Sequence, residues 1–201
     1  SGENVVVLGR SGCGKSVLIK CIAGLLPYES GSIKVLGKEI SGLPQHQLDE
    51  LRARIGFVFQ SSALYDSMTV KENLEFPLRH HGKGRTEKEM SVIVDETLEN
   101  VGLRHAKHLM PSELSGGMRK SIGLARALVL HPEIMLYDEP FTGLDPISLG
   151  VIAHLISRIN NALRSTSVMV SHDIEQSLAI VNQVIFLAHG EVVFSGSPEE
   201  M

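Results

Sequence analysis

A glycine-rich loop between a β-branched strand and an apolar helix constrains this chain more than any other feature. Residues 4–8 read Asn-Val-Val-Val-Leu, and residues 9–16 read Gly-Arg-Ser-Gly-Cys-Gly-Lys-Ser. The second segment fits the pattern G-x-x-x-x-G-K-[ST], in which glycines let the backbone wrap a phosphate and point successive N–H groups at it. An unbroken β-branched run is typical of a strand buried on both faces of a parallel sheet. The chain is therefore predicted to have an α/β fold with a phosphate-binding loop (P-loop).

The P-loop carries the groups that a nucleotide phosphate needs. Lys15 supplies a charge for the β- and γ-phosphates, the following helix supplies its positive N-terminus, and the Ser16 hydroxyl is a ligand for Mg²⁺. The alternative is a chance glycine-rich turn, which about one chain in a hundred of this length would contain. The position between a strand and a helix makes chance rarer. The predicted nucleotide-binding residues here are Gly9, Arg10, Ser11, Gly12, Cys13, Gly14, Lys15, Ser16 and Val17.

Composition narrows the class of protein and its partners. The 201 residues are 43% hydrophobic and 21% charged, which suits one globular domain. A net charge of -4 gives no bulk electrostatic reason to bind nucleic acid, and none is expected as a partner. The two cysteines, Cys13 and Cys21, lie in the loop and the next helix, so a reducing cytosol is favoured over a disulfide. Neither a signal peptide nor an apolar run of roughly 20 residues occurs, so any membrane role is expected to be peripheral.

The hydrophobic pattern divides the chain into a core and an insertion. Strands are predicted at 32–36, 55–59, 134–137, 168–170, 184–188 and 191–194, and a helix at 16–26. Between residues 69 and 130 the pattern changes to helices at 70–80, 86–101 and 115–130. We therefore predict one domain over 1–201, with an α/β core at 1–62 and 132–201 and an all-helical subdomain at 63–131.

His80 and His81 begin a polar stretch, residues 80–85, that joins two of these helices. Adjacent histidines without nearby carboxylates or cysteines have poor geometry for a metal ion. An exposed loop is therefore predicted there rather than a metal site.

Three predicted strands end in residues that could act on a bound phosphate. Asp138 and Glu139 follow strand 134–137, His172 follows strand 168–170, and Gln60 follows strand 55–59. An acidic pair after a strand is usually a solvated turn, and a lone histidine is more often structural than catalytic. Beside a P-loop, however, Asp138 becomes a candidate partner for Mg²⁺ and Glu139 a candidate to polarise the attacking water.

A second anion-binding helix terminus is predicted at residues 114–118, Leu-Ser-Gly-Gly-Met, which we call the signature segment. Ser115 is a good N-cap, and Gly116 and Gly117 expose backbone N–H groups. Taken by itself, a plain helix start with a glycine hinge is the better interpretation.

Together these motifs resemble the ATPases of ABC transporters over the whole chain. The resemblance rests on the P-loop, Gln60, Leu-Ser-Gly-Gly at 114–117, Asp138-Glu139, Gly-Leu-Asp at 143–145 and His172, in this order and spacing. It implies a RecA-like P-loop core with a mainly parallel sheet, an inserted helical subdomain, and ATP and Mg²⁺ as ligands. It also implies N-terminal antiparallel strands and an adenine-stacking aromatic residue upstream of the P-loop, which are expected to be missing from this chain.

The resemblance assigns roles to the candidate residues. It implies Glu139 as catalytic base, with Lys15 and His172 at the γ-phosphate and Gln60 at Mg²⁺ and the attacking water; Ser16 and Asp138 would also hold the metal. It implies a head-to-tail dimer of two copies, in which each ATP lies between the P-loop of one and the signature segment of the other. In that dimer Asp145 would link the two sites. The residues implied for the partner's ATP are Leu114, Ser115, Gly116, Gly117 and Met118.

The resemblance also implies partners at the membrane. Residues 61–78 correspond to the surface that receives an integral membrane permease, which would hold the chain on the cytoplasmic face of the inner membrane. A mixed role in core and interface is expected there for Leu64, Tyr65, Met68 and Val70.

The sequence departs from the common pattern at three positions, and two of them, with the P-loop reading Gly-Arg-Ser-Gly-Cys-Gly-Lys-Ser, narrow the resemblance. Met118 stands where most relatives have glutamine, Phe141 where many have threonine or serine, and Ser121 where most have arginine. The first two, with Gly-Leu-Asp-Pro-Ile at 143–147, resemble Mla-type ATPases. Those ATPases move phospholipids or other hydrophobic molecules together with MCE-type lipid-binding proteins.

Two rival functions belong to other classes. Soluble ABC ATPases of DNA repair carry long coiled coils between P-loop and signature, and those of translation carry two cassettes; neither feature is present. The other rival is a nucleotide-binding scaffold that does not hydrolyse ATP, against which Lys15, Glu139 and His172 argue.

Overall fold

The structure is a computed structural model that describes residues 2–81, 84–163 and 165–201. Strands and helices alternate along most of the chain, which confirms the predicted α/β fold. The elements are β1 (Asn4–Leu8), α1 (Lys15–Ile22), β2 (Lys34–Val35), β3 (Lys38–Glu39), α2 (Gln45–Arg52), β4 (Ile55–Val58), α3 (Val70–His81), α4 (Glu87–Asn100), α5 (Gly116–Leu128), β5 (Ile134–Asp138), α6 (Pro146–Leu163), β6 (Thr166–Ser171), α7 (Ile174–Leu178), β7 (Gln183–Ala188) and β8 (Glu191–Gly196).

One mainly parallel sheet forms the centre of the molecule. Its strand order is β4-β5-β6-β1-β7-β8; β8 is antiparallel to β7, and the other pairs are parallel. Parallel strands all end at the same edge of a sheet. Gly9, Glu139 and His172, which directly follow β1, β5 and β6, and Gln60, two residues beyond β4, are therefore brought to one edge.

Both faces of the sheet are covered, as the β-branched runs predict. Val6 and Leu8 belong to the cluster that includes Ile152 and Ile156 of α6, whereas Val7 packs on the other face with Ile19 of α1. All six side chains are at most 2% exposed. Because successive strand residues point to opposite faces, one buried run supplies two layers of core.

The helices α3, α4 and α5 build a separate apolar cluster, with Leu74, Val94 and Ile122 completely buried in it. Thr86 caps α4 in a capping box with Glu89, which explains why that helix begins where the sequence predicts. α5 also contacts β4 and α6, and so connects this cluster to the sheet. The division at residues 62–63 and 131–132 stays a prediction.

Some local predictions differ from the structure. The strand predicted at 32–36 lies outside the main sheet, because β2 and β3 form their own hairpin through Leu36 and Gly37, both of which have positive φ, as a type I′ turn requires. The helix predicted at 16–26 ends at Ile22, where Gly24 turns the chain at φ 65°.

The loop predicted at 80–85 falls partly outside the described residues, since Gly82 and Lys83 are not among them. Helix α3 extends through His80 and His81. Within the described part of the chain, no three His, Cys, Asp or Glu side chains are grouped so that they could hold a metal ion. None of its helices is long and apolar enough to cross a membrane.

Candidate nucleotide-binding site

The P-loop keeps its shape through glycines that a side chain would disturb. Gly12 and Gly14 have φ values of 82° and 99°, which favour glycine, and Gly14 stands directly before α1. A Cβ on Gly9 would lie 2.4 Å from the carbonyl oxygen of Leu187 and 2.7 Å from Cys13 Sγ. The loop therefore has to pass close to the end of β7, and only glycine at position 9 allows it.

Lys15 joins the P-loop to the end of β5. Its side chain is 5% exposed, and Nζ donates to the carbonyl oxygens of Gly9 at 2.7 Å and Arg10 at 3.2 Å. Nζ also lies 3.6 Å from Glu139 Oε1. The ammonium group is thus held at the place where the loop faces the strand-end carboxylate.

The side chains of Ser16, at the end of the P-loop, and Asp138, at the end of β5, are hydrogen-bonded to each other. Ser16 Oγ donates to Asp138 Oδ1 at 2.6 Å, and Lys20 Nζ lies 4.0 Å from Asp138 Oδ2. A hydroxyl and a carboxylate are hard oxygen ligands of the kind that Mg²⁺ takes when phosphates and water complete its shell. These residues fit the magnesium site that the sequence predicts.

Glu139 is held by its neighbours at the next strand end. It adopts φ 49° immediately after β5, and its N–H donates to the carbonyl oxygen of Val170 at 2.9 Å. Glu139 Oε2 accepts the His172 N–H at 3.3 Å and lies 2.7 Å from His172 Nδ1. A left-handed conformation outside glycine persists only where surrounding contacts impose it, and such strain is concentrated at functional sites.

One cavity beside these residues is lined by nine of the predicted site residues, from the P-loop and the ends of β4, β5 and β6. It measures about 370 Å³, and the signature segment, all of which the structure describes, does not line it. Thr142, whose hydroxyl lies 3.5 Å from Glu139 Oε2, lines it without having been predicted, because a threonine after a Pro-Phe pair carries no distinctive signal. The lining residues are Ser11, Gly12, Gly14, Lys15, Ser16, Val17, Gln60, Glu139, Thr142 and His172.

The signature segment instead opens α5 on another part of the surface. Ser115 is the N-cap, and its Oγ accepts the Met118 N–H at 3.2 Å. A Cβ on exposed Gly116 would meet nothing within 4 Å, whereas one on Gly117 would lie 2.8 Å from Ser148 Oγ. At the predicted anion-binding helix terminus, Gly116 therefore has free space beside its Cα, whereas Gly117 is closely packed against Ser148.

Asp145 organises the start of α6 against the signature segment. Its Oδ2 accepts from Ser148 Oγ at 2.6 Å, and its Oδ1 accepts the N–H groups of Ile147 at 3.1 Å and Ser148 at 3.0 Å. These bonds, with that of the Ser148 side chain foremost, lower the pKa of Asp145. Ser148 therefore touches both Asp145 and Gly117, a connection that sequence reasoning missed.

The departures from the common pattern lie in packed surroundings. Phe141 is 4% exposed and belongs to the hydrophobic cluster between the sheet and α6. Met118 is half-buried against the cluster formed by α3, α4 and α5. Ser121 is 5% exposed. Lys120 beside it is also buried, and its Nζ donates to the carbonyl oxygen of Gln60 at 2.6 Å.

The surface at 61–78 contains both core and exposed residues. Val70 is fully buried in the helical cluster and Leu64 packs partly against it, while Met68 is half-buried. Tyr65 is 43% exposed, with its ring centroid 4.8 Å from that of Phe76. A groove of about 440 Å³ runs past Tyr65 and Phe76.

The cavity between the P-loop and the ends of β5 and β6 is that of a P-loop nucleoside triphosphatase, and the second helix terminus at 114–118 narrows the class to ATP-binding cassettes. The chain belongs to the ABC transporter family, whose family model matches residues 1–142. It is 45% identical over 200 residues to the intermembrane phospholipid transport system ATP-binding protein MlaF of Haemophilus influenzae, covering 100% of this chain and 75% of that protein. MlaF of Escherichia coli K12 is 40% identical, with 100% and 74% covered.

A solved structure agrees with this assignment. The dimeric post-hydrolysis state of the ATP-binding cassette MJ0796, bound to ADP and Pi, matches with a TM-score of 0.88 and 32% identity over 98% of this chain and 86% of that one. The protein is accordingly an ATPase that binds ATP with Mg²⁺ and hydrolyses it. The predictions of fold class, family, ligands and activity are confirmed, and the relatives do not support the alternative of a soluble repair or translation ATPase.

Proposed function

We propose that this ATPase drives phospholipid transport through a membrane permease. The observation that carries the proposal is the identity of 45% and 40% to two phospholipid transport ATP-binding proteins along the entire chain. Met118 and Phe141, which depart from the common pattern, favour the same group of transporters.

The metal site that we propose consists of Ser16, Asp138 and Gln60. Mg²⁺ would neutralise charge on the β- and γ-phosphates during hydrolysis. The 2.6 Å bond between Ser16 Oγ and Asp138 Oδ1 supports this assignment for the first two residues. Gln60 lines the same cavity, from which its amide can reach the attacking water.

Glu139 is proposed as the general base, with His172 as its orienting partner. With Glu139 ionised, the 2.7 Å contact is a bond in which His172 Nδ1–H donates to Oε2. Donation from His172 Nε2 to the γ-phosphate in addition requires the imidazolium form, in which both ring nitrogens carry a proton. The histidine side chain is 54% exposed and lines the cavity. Oε1 remains on the Lys15 side of the carboxylate, where it can accept the proton of the attacking water.

The signature segment and Asp145 are proposed to act on a second copy of the chain. The signature glycines and Ser115 are exposed or half-buried at a helix N-terminus, and they do not line this chain's own P-loop cavity. A head-to-tail dimer gives each of two ATP molecules one P-loop and one signature segment. Asp145, exposed at the start of α6 beside Gly117, would then connect the two sites.

The permease is proposed to dock on residues 61–78, and thereby to hold the ATPase at the cytoplasmic face of the inner membrane. The groove beside Tyr65 and Phe76 is the feature that supports this position. An MCE-type lipid-binding protein is proposed as a further component of the complex.

The test is transport by the full-length protein assembled with its permease. The complex is reconstituted in phospholipid vesicles, and ATP-dependent transfer of a fluorescent phospholipid to an acceptor is measured. We expect transfer with the unchanged protein and none with Glu139→Gln, whereas Glu96→Gln, an exposed change on α4, should behave like the unchanged protein. An ATPase that is active in the complex but transfers no phospholipid would overturn the proposed cargo.

A further inference from the structure

One face of α5 holds the loop that carries Gln60. Lys120, Gly123 and Arg126 are spaced three residues apart, so they lie on neighbouring turns of the same side of the helix. All three contact residues 60–63, which follow β4 and which we call the Gln60 loop.

Lys120 and Arg126 donate hydrogen bonds to backbone carbonyls of this loop. Lys120 Nζ donates to the carbonyl oxygen of Gln60 at 2.6 Å. Arg126 donates through Nη1 to Ala63 at 2.5 Å and through Nη2 to Ser62 at 3.3 Å. The two cations therefore bind both ends of a four-residue loop.

Gly123 allows the helix to come this close. A Cβ at position 123 would lie 3.1 Å from Ser62 Cβ and 3.3 Å from Ser62 Cα. Ser62 itself is only 4% exposed. The Gln60 loop is thus packed against the helix backbone between its two hydrogen-bonded ends.

The backbone of this loop needs such support. Ser62 and Ala63 have φ values of 64° and 47°, in the left-handed region that residues other than glycine rarely adopt. Consecutive residues in this region are held there by their surroundings rather than by their own preference. The contacts from α5 supply part of this support, together with the hydrogen bond from the Ser62 N–H to the carbonyl oxygen of Phe59 at 2.9 Å.

Lys120 is buried, which is unusual for a lysine side chain. It is 7% exposed, and its burial lowers its pKa, while the charges of Glu139 and Asp138 oppose that shift. Burying an ammonium group costs free energy unless the group is hydrogen-bonded and its charge is balanced by opposite charges. Here it is bonded to the Gln60 carbonyl and lies in the field of the two strand-end carboxylates of the site.

We propose that Lys120 is a positioning residue for ATP hydrolysis, which fixes the backbone at Gln60 to α5 and so sets where the Gln60 side chain lies in the cavity. The inference rests on the proposed role of Gln60. Because α5 begins at the signature segment, a displacement of this helix would move both that segment and Gln60. In the proposed dimer the two act on different ATP molecules, so the displacement would affect both ATP sites.

The experiment compares Lys120→Met with Lys120→Arg in the full-length protein. Turnover, KM for ATP, ATP affinity in the Glu139→Gln background, and backbone hydrogen exchange of the Gln60 loop are measured. For Lys120→Met we expect kcat to fall about tenfold, since small misplacements of a reacting group have large effects on rate. KM and ATP affinity should stay within about twofold, because the P-loop is unchanged. Exchange in the Gln60 loop should become faster, and Lys120→Arg should recover both readouts in large part.

Two further variants complete the design. Lys88→Met removes an exposed lysine from α4 and should change neither turnover nor exchange. Gly123→Ala disturbs the Gln60 loop without removing either cation and should also lower kcat, so it tests the proposal even if Lys120→Met folds poorly.

The outcomes separate this inference from the proposed function. If Lys120→Met and Gly123→Ala keep normal turnover and loop exchange while Gln60→Ala and Glu139→Gln are slow, the positioning role is wrong and the proposed catalytic site stands. If Glu139→Gln itself turns over normally, the proposed base is wrong, and loop exchange in Lys120→Met still decides whether Lys120 holds the loop.

Discussion

His172 binds one oxygen of Glu139 twice, through its Nδ1 at 2.7 Å and its backbone N–H at 3.3 Å from Oε2. The other oxygen, Oε1, lies 3.6 Å from Lys15 Nζ. The carboxylate is therefore fixed with one oxygen toward β6 and the other toward the P-loop. A general base needs this kind of fixed orientation toward the proton that it removes.

The pairing predicts that His172 and Glu139 act as one unit. His172→Ala should lower kcat about tenfold or more, and Glu139→Gln about a hundredfold or more. If the histidine works by orienting the carboxylate, the double variant should be hardly slower than Glu139→Gln alone, because residues that act as a unit are non-additive. The measurement is steady-state ATP turnover of the four proteins. Fully multiplicative losses would mean that His172 acts independently of Glu139.

The 2.6 Å bond between Ser16 and Asp138 predicts a specific metal defect. Ser16→Ala removes one oxygen ligand, so we expect about a tenfold higher Mg²⁺ concentration for half-maximal turnover. ATP binding measured without divalent cations should change little, because the loop N–H groups and Lys15 remain. Ser16→Thr keeps the hydroxyl that the motif allows and is the matched control. An unchanged Mg²⁺ requirement in Ser16→Ala would remove Ser16 from the metal site.

The sequence predicts local parts of this site well and long-range parts poorly. Glycines 12 and 14, the Ser115 cap and the strand-end positions of Asp138 and His172 follow from neighbouring residues alone. The Lys120 bond to Gln60 spans 60 positions, and Ser148 meets Gly117 only because α6 packs beside α5. No periodicity encodes such contacts. The strand predicted at 32–36 carried no sheet assignment for a similar reason, since a short apolar run does not specify which strand it pairs with.

The close approach of Gly117 to Ser148 predicts different effects for the two signature glycines. Gly117→Ala places a Cβ 2.8 Å from Ser148 Oγ and 3.1 Å from its Cβ, so the serine must turn away from Asp145 or the helices must separate. We expect a loss of about 1–3 kcal/mol in the free energy of unfolding. Gly116→Ala has open space and should leave stability unchanged or raise it by up to about 1 kcal/mol. Urea unfolding of both proteins measures the difference, and equal stabilities would contradict the packed geometry.

Glu39 predicts an acid-sensitive element away from the ATP site. Its carboxylate accepts hydrogen bonds from Ser32 and Tyr28, which lower its pKa from 4.5 to about 2. Because the unfolded chain then binds a proton more readily than the folded one, this contribution to stability is complete above pH 4.5 and is lost as the pH falls toward about 2. Glu39→Gln should therefore flatten the dependence of the urea midpoint on pH between 4.5 and 2. The exposed Glu29→Gln is the control and should leave the slope intact. If both variants lose stability with acid as steeply as the unchanged protein, the bonds to Glu39 do not stabilise its charged form, and the acid sensitivity arises at other carboxylates.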